Sequence, residues 1–324
     1  MAGVVGSILH GAYGDCYEQM IALRSFKRAN PDTRLVLFFA TDLRKKELEV
    51  FDLSFADEVH PRHALTEVPV DRFFQFQIND PDLKKDALDA LPETILAKFD
   101  RKHNLKPWTY LRRVWRETPE LCDVGLSAIG RERLPECEAA NGISTSLFAS
   151  RFTVGFLWRY RKPGRSISPR GQLPVDQLIA IRSEFFRQLI VEYNAHILVC
   201  GMNVVTTSEN RARTDNKYID LPLDLPKENT TYLQGLNWGL ELETIRKCSL
   251  CVVMASGFSE ALWLKRRGKA IMMVDPPKAY LVKLLWNRMP FFDILTPREL
   301  IFQLRQPHTA DRLLAYLHNR ETLP

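Results

Sequence analysis

The sequence predicts an α/β chain built from two successive Rossmann-like, doubly wound domains, and three observations carry that prediction. Short apolar runs recur along the chain: RLVLFFA (34–40), FTVGFLW (152–158), AHILVC (195–200), LCVVM (250–254) and AIMMV (270–274). They are too apolar to alternate, as strands of a parallel sheet buried on both faces are. The segments between them have helical spacing, and a strand–helix succession demands right-handed crossovers and a doubly wound sheet. The pattern then lapses in mid-chain and restarts, which sets domains of 1–150 and 151–324.

In order, Val4–Leu9 is a buried-strand candidate running into His10-Gly-Ala-Tyr-Gly14-Asp15. Two glycines mark a turn, and Asp15 is placed to cap a helix that lasts to about Ala29. On that helix Cys16, Met20, Leu23 and Phe26 fall within about a third of the circumference. Asn30-Pro31-Asp32 ends it, because proline disfavours helical geometry in the residue before it. Arg34–Ala40 is the second strand, Asp42–Leu53 has helical spacing, and Asp57–His60 is a brief third strand. Arg72–Ile78 alternates partly, like an edge strand. Asp82–Phe99 and Trp108–Cys122 have helical periodicity, whereas Leu134–Phe148 has no clear period and marks the boundary.

The second half opens with Phe152–Trp158 as a strand, followed by a basic loop holding Arg159, Arg161, Lys162, Arg165 and Arg170. Asp176–Tyr193 is a helix, Ala195–Cys200 a strand, Lys217–Leu221 a further strand, Leu240–Lys247 a helix and Leu250–Met254 a strand. A tight turn at Ser256-Gly257 leads into a short helix and the strand Ala270–Val274. Helical segments near Ala279–Asn287, Pro297–Arg305 and Thr309–Asn319 close the chain, the last of them expected to cross back to the first domain.

The totals narrow the partners. The 324 residues suffice for two domains, and no apolar run approaches the roughly 18–20 residues of a membrane span. MAGVVGSILHG lacks the basic start of a signal peptide, so a cytoplasmic location is expected, with a peripheral seat at a membrane surface as an open alternative. Forty-five Lys and Arg against 39 Asp and Glu give a net charge of +6. That mild excess suits phosphate-bearing small molecules, an anionic glycan or an acidic membrane surface. A nucleic-acid partner is not expected, since zinc-finger spacing, an RNP-like motif and a basic tail are all missing. The six cysteines sit in or beside apolar runs. Cys248-Ser-Leu-Cys251 enters a strand and has no second ligand pair, so neither zinc nor thioredoxin-like chemistry is expected.

Three groups of residues fit a ligand site. Asp15, on the loop after the first strand, suits a base that takes a proton from a hydroxyl, with a plain helix cap as the alternative. His10 is a second base, an orienting group or a hydrogen-bonded strand end. The Arg159–Arg170 cluster, mainly Arg159 and Lys162, suits a diphosphate, with Glu209, Arg211 and Arg213 as weaker candidates. Gly14 and Gly257 let the backbone approach a ligand closely. Ser256, Ser259 and Glu260 lie where a helix start meets the end of a strand, and Glu260 suits a sugar hydroxyl or serves only the helix dipole. Tyr13, Trp158, Phe258 and Trp263 lie near these loops as stacking or core residues. Lys265-Arg-Arg267 is expected on a solvated helix face.

Gly14-Asp15 followed by ALRSFKRANPDTRLVLF resembles the opening of the bacterial ADP-heptose–lipopolysaccharide heptosyltransferase family, within the two-domain GT-B glycosyltransferases. Phe55-Ala-Asp-Glu-Val59 resembles that family's next strand. Leu242–Val253, Ser256-Gly257 and Gly268-Lys269 resemble its DSGxxHLAxALGKPVVxLFGP segment. Ala255 replaces the Asp of that segment, Glu260 its His and Ala270 its Pro, and Asp275-Pro276-Pro277 its Phe-Gly-Pro. The resemblance implies two domains facing a central cleft and an inverting, metal-independent transfer, without a cofactor, from a nucleotide-sugar donor to a glycan or glycolipid acceptor. It implies a role in surface polysaccharide or lipopolysaccharide synthesis. The base falls on Asp15 and the donor diphosphate on Arg159 and Lys162. A nucleotide-sugar epimerase of the same fold and a non-catalytic glycan-binding or assembly protein are the alternatives.

Overall fold

The computed structural model describes residues 3–10, 13–74, 93–98, 107–157, 175–200, 223–233, 237–254, 261–262, 265, 271–274 and 301–303. The expected elements at 217–221, 279–287 and 309–319, and most of 82–99, lie outside them. The chain divides into two compact units between Arg133 and Leu134.

The first unit is a four-stranded parallel sheet in the order β3-β2-β1-β4. Its strands are β1 (Val4–Leu9), β2 (Arg34–Phe39), β3 (Glu58–His60) and β4 (Arg72–Phe73). Ile8, Val36, Phe38 and Phe73 point to one face and pack with Leu65, Val70 and Ile95. Full burial of a side chain such as Phe73 stabilises by about 1.5–3 kcal/mol. Gly6 makes that core possible, because a Cβ there would meet Phe73 at 2.6 Å and Val70 at 2.9 Å.

Helix α1 (Tyr13–Ala29) follows β1. Cys16, Met20 and Leu23 are buried as their spacing predicts, but so are Tyr17, Glu18 and Gln19. The stripe is wider than expected because a further helix, Pro107–Glu117, packs on α1. The hydroxyl of Tyr17 accepts from the Val124 N–H at 3.1 Å and donates to the Cys122 carbonyl at 2.9 Å, so it holds the 3-10 turn Pro119–Cys122 and its exit. At the far end the Asn30 side chain donates to the Phe26 carbonyl at 2.9 Å, and Pro31 follows. Helix α2 covers Asp42–Leu48. Before β3, burial opposes the charge of Asp57. Hydrogen bonds from the Lys27 ammonium at 2.7 Å and the Leu35 N–H at 2.6 Å outweigh it, and the pKa is lowered.

After β4 come helices α3 (Glu93–Leu96), α4 (Pro107–Glu117) and α5 (Ala128–Ala140). The sequence had no clear period over much of α5, whose interior holds Pro135. The helix crosses the division of the chain, which falls earlier than the expected boundary at 150. Residues after 133 group with the second unit for a visible reason. Buried Glu138 accepts from Lys247 Nζ at 2.7 and 2.8 Å and from Thr244 Oγ1 at 3.0 Å. A short helix α6 (Leu147–Ser150) then brings Phe148 beneath the Lys247 ammonium, 5.6 Å from the ring centre.

The second unit is a six-stranded parallel sheet ordered β10-β9-β8-β5-β6-β7. Its strands are β5 (Thr153–Leu157), β6 (His196–Cys200), β7 (Thr230–Tyr232), β8 (Leu250–Met254), β9 (Ile271–Val274) and β10 (Ile301–Gln303). Renumbered from β5, this is the 3-2-1-4-5-6 order of a Rossmann sheet. Helix α7 (Val175–Tyr193) covers one face, where Phe186 meets Phe156 with ring centres 4.6 Å apart. Helix α8 (Trp238–Arg246) covers the other, where a Cβ at Gly155 would meet Ile245 at 2.7 Å. Its start is capped by Asn237, whose side chain accepts from the Gly239 N–H at 2.8 Å.

Three local expectations change. Ile301–Gln303, expected within a helix, is strand β10, because it pairs in parallel with β9 and a sheet edge overrides a weak helical period. β7 was not anticipated, since TTY is short and half-buried. Lys265, expected on a solvated face, is buried, and its ammonium lies 2.5 Å from Glu243 Oε1 on α8.

Candidate functional site

In an open parallel sheet, neighbouring strands whose connections run in opposite directions leave a crevice at their carboxyl ends. In the first unit that reversal lies between β1 and β4, and the chain leaving β1 there carries His10, Gly14 and Asp15. Asp15 is half-buried in the first turn of α1. The helix starts at Tyr13, so Asp15 lies inside that turn and not at the cap expected from the Gly-Asp pair. A carboxylate in this position is favoured by the N–H groups and dipole of the helix start. Gly14 beside it is buried.

His10 is buried, and its backbone is gripped by α1. Gln19 Nε2 donates to the His10 carbonyl at 2.9 Å, Cys16 Sγ donates to the same oxygen at 3.2 Å, and the His10 N–H reaches Gln19 Oε1 at 3.5 Å. Glu18, one turn beyond Asp15, is also buried. Sequence reading passed over Gln19 and Glu18. The available signal was a pair of polar residues on a helix whose neighbours Tyr17, Met20 and Ile21 are all core residues.

In the second unit the reversal lies between β5 and β8, with Phe156 opposite Val252. The segments that continue these two strands carry Arg159 and Lys162 after β5, and Ser256, Gly257, Ser259 and Glu260 after β8. Those six residues and Glu209 lie outside the described residues, as do Trp158, Phe258 and Trp263. Helical backbone at Ala261, Leu262 and Lys265 follows the β8 segment. It is tied to α8 by Glu243, which meets Lys265 through Oε1 and Arg246 Nε through Oε2 at 2.8 Å. No sequence pattern paired Lys265 with Glu243, because the contact is between two helices.

The amino ends of the second sheet carry a different cluster. The imidazole of His196 lies 2.9 Å from Thr231 Oγ1 and 3.4 Å from an Arg151 nitrogen, and Arg151 also holds the carbonyls of Asn194 and Ala195. Burial, then the Arg151 charge, lowers the pKa of His196. The cluster is a structural clasp, at the opposite end of the strands from a Rossmann ligand site. All six cysteines are thiols, five of them buried. Among the described residues no group of three or more His, Cys, Asp or Glu is placed to hold a metal ion, and no helix is long and apolar enough to cross a membrane.

No protein-family model matches the chain. No curated protein matches it either. Among solved structures it is similar to the glycosyl transferase family 9 protein from Veillonella parvula DSM 2008, at 12% identity over 98% of each chain with a TM-score of 0.53. Weaker likenesses are to the E. coli heptosyltransferase WaaC with ADP (11% identity, 98% of each chain, TM-score 0.47) and to the NodZ alpha-1,6-fucosyltransferase with GDP (13% identity, 85% of this chain and 96% of that one, TM-score 0.44). The fold assignment rests on the first, together with the two strand orders. This chain has the GT-B type of fold, two Rossmann-like units in succession, that the family 9 glycosyl transferase also has.

Proposed function

We propose that the chain is an inverting, metal-independent glycosyltransferase that moves a sugar from a nucleotide-sugar donor to a hydroxyl of a glycan or glycolipid. Its place is in surface polysaccharide synthesis on the cytoplasmic side, with no cofactor beyond the donor. The observation that supports it best is Asp15, a half-buried carboxylate in the first turn of α1 at the strand-order reversal of the first sheet. Asp15 takes the proton of the acceptor hydroxyl as that oxygen bonds to the anomeric carbon. The bond from that carbon to the diphosphate oxygen breaks with inversion, and the nucleoside diphosphate leaves with both electrons. Arg159 and Lys162 offset the charge that develops on it. Ser256, Gly257, Ser259 and Glu260, with Gly14 and Glu209, complete the donor site, and His10 is a second base or an orienting group.

The experiment is release of nucleoside diphosphate from ADP-, GDP- and UDP-sugars with a panel of glycan and glycolipid acceptors, together with Asp15→Asn. The expected outcome is acceptor-dependent release that Asp15→Asn lowers by about a hundredfold or more while donor binding persists. Donor binding with full turnover in Asp15→Asn removes Asp15 from the role of base. Release without any acceptor indicates an epimerase or hydrolase of the same fold.

A further inference from the structure

The carboxyl end of β1 is anchored by side chains. The last sheet bond on its Leu9 carbonyl comes from the Ala40 N–H at 3.1 Å. One residue on, the His10 backbone passes to α1, where Gln19 meets both of its polar groups and Cys16 adds a second bond to the carbonyl. Gln19 is buried and lies four residues after Asp15, so the two share a helix face. Only a side-chain amide offers a fixed donor and acceptor side by side; a carboxylate lacks the donor and an aliphatic chain lacks both. Shorter Asn would have to bridge the same gap with one methylene fewer. The polarity of this buried position therefore serves the His10 peptide, the fixed point where the chain leaves the end of β1.

We propose that Gln19 is a positioning residue for Asp15: its amide, one turn beyond Asp15, ties the start of α1 to the end of β1 and so fixes where the carboxylate stands. The inference rests on the reading of Asp15 as the base. A base acts only within hydrogen-bond reach of the proton it removes, and an error of about 1 Å can cost about a hundredfold in rate. Cys16 gives the weaker half of the same lock.

The test uses the full chain with Gln19→Met, which keeps the length and removes both polar groups, and Gln19→Asn, which keeps them on a shorter stem. Amide hydrogen exchange needs no ligand. In Gln19→Met the amides of residues 17–19, whose helical acceptors are the carbonyls of the first turn, are expected to exchange at least about tenfold faster, while residues 20–29 keep the parent rate. Unchanged exchange at 17–19, or equal loosening along the whole helix, overturns the proposal. Should Gln19→Met fail to fold, Gln19→Asn and Cys16→Ala are judged by the same criterion.

Kinetics supply the second readout, using whichever of ADP-, GDP- or UDP-glucose is turned over. Gln19→Met is expected to lower kcat about tenfold or more with the donor KM within about twofold, and to cost nothing further in an Asp15→Asn background. An equal fall in both backgrounds means that Gln19 does not act through Asp15, and overturns the positioning role. Loss in Asp15→Asn with none in Gln19→Met overturns that role alone. Full turnover in Asp15→Asn overturns the base assignment and the positioning role with it.

Discussion

Replacing Lys265 by Met asks how much the second unit depends on one buried ion pair. The ammonium lies 2.5 Å from Glu243 Oε1, and the two side chains are 0% and 3% exposed. Met keeps most of the apolar stem, so the change is chiefly loss of charge. Removing one partner of a buried pair costs about 3–5 kcal/mol, because the other charge stays out of water without its counterpart. Glu243 keeps Arg246 on its second oxygen at 2.8 Å, with the arginine side chain 40% exposed. That remaining partner puts Lys265→Met at the low end, about 3 kcal/mol. For a unit of this size the fall in Tm is about 6–12 °C. Glu243→Met is expected to cost more, since it takes the 2.5 Å carboxylate from a fully buried ammonium and also releases Arg246. The double variant Glu243→Met/Lys265→Met should recover much of the loss, because an apolar pair of similar volume is close to neutral. Urea denaturation of the four proteins is the assay. A cost below about 1 kcal/mol for Lys265→Met, or strict additivity in the double variant, would refute the reasoning.

Two more outcomes follow from local geometry. His196 stays neutral in the fold at pH values where an unfolded histidine, with a pKa of about 6.5, binds a proton. Acid therefore favours the unfolded state. The stability that His196 contributes is fully present above the unfolded pKa and is lost as pH falls towards the folded one. Urea midpoints at pH 7.5 and 5.5 should drop with acid in the parent and drop less in His196→Gln; a steeper drop in the variant reverses the sign and rejects the assignment. Gly130→Ala is the other. In an open helix the change would stabilise by up to about 1 kcal/mol, but here the new Cβ would meet the Val50 carbonyl oxygen at 2.3 Å. Since the neighbour is backbone, the helix must shift, and a net loss of about 1–3 kcal/mol is expected in thermal melts. A variant more stable than the parent contradicts the contact.

The legible part of the fold was the part made by the strongest local signals. LCVVM gave β8 without a residue of error, and RLVLFF gave β2, because strands buried on both faces have no polar alternation to confuse with anything else. α1 was legible from its apolar spacing and its stop at Asn30-Pro31. β7 and β10 were not, since TTY and IFQ acquire their identity from the strand beside them. α5 was obscured by Pro135, a residue that argues against a helix until its packing is known. Lys265 was misread because a run of three basic residues looks solvated, and the acid that buries it lies 22 positions earlier on another helix.

At the candidate site the division is similar. Gly14-Asp15 was visible because a glycine turn before an acid is a local event. The Gln19 lock on His10 was invisible, because a glutamine in a helix has no period or motif of its own, and its meaning depends on which backbone it meets. The sequence by itself determined the α/β class, the places of the apolar strands along the chain and the acid that follows the first of them, all of which depend on residues within a turn or two of one another. Only the tertiary structure decided the strand orders, which place the ends of β1 and β5 at reversal points, and the partners of Gln19, Glu138 and Lys265. Sheet order and buried charge pairing depend on groups far apart in the chain, and a linear pattern holds no record of which of them meet.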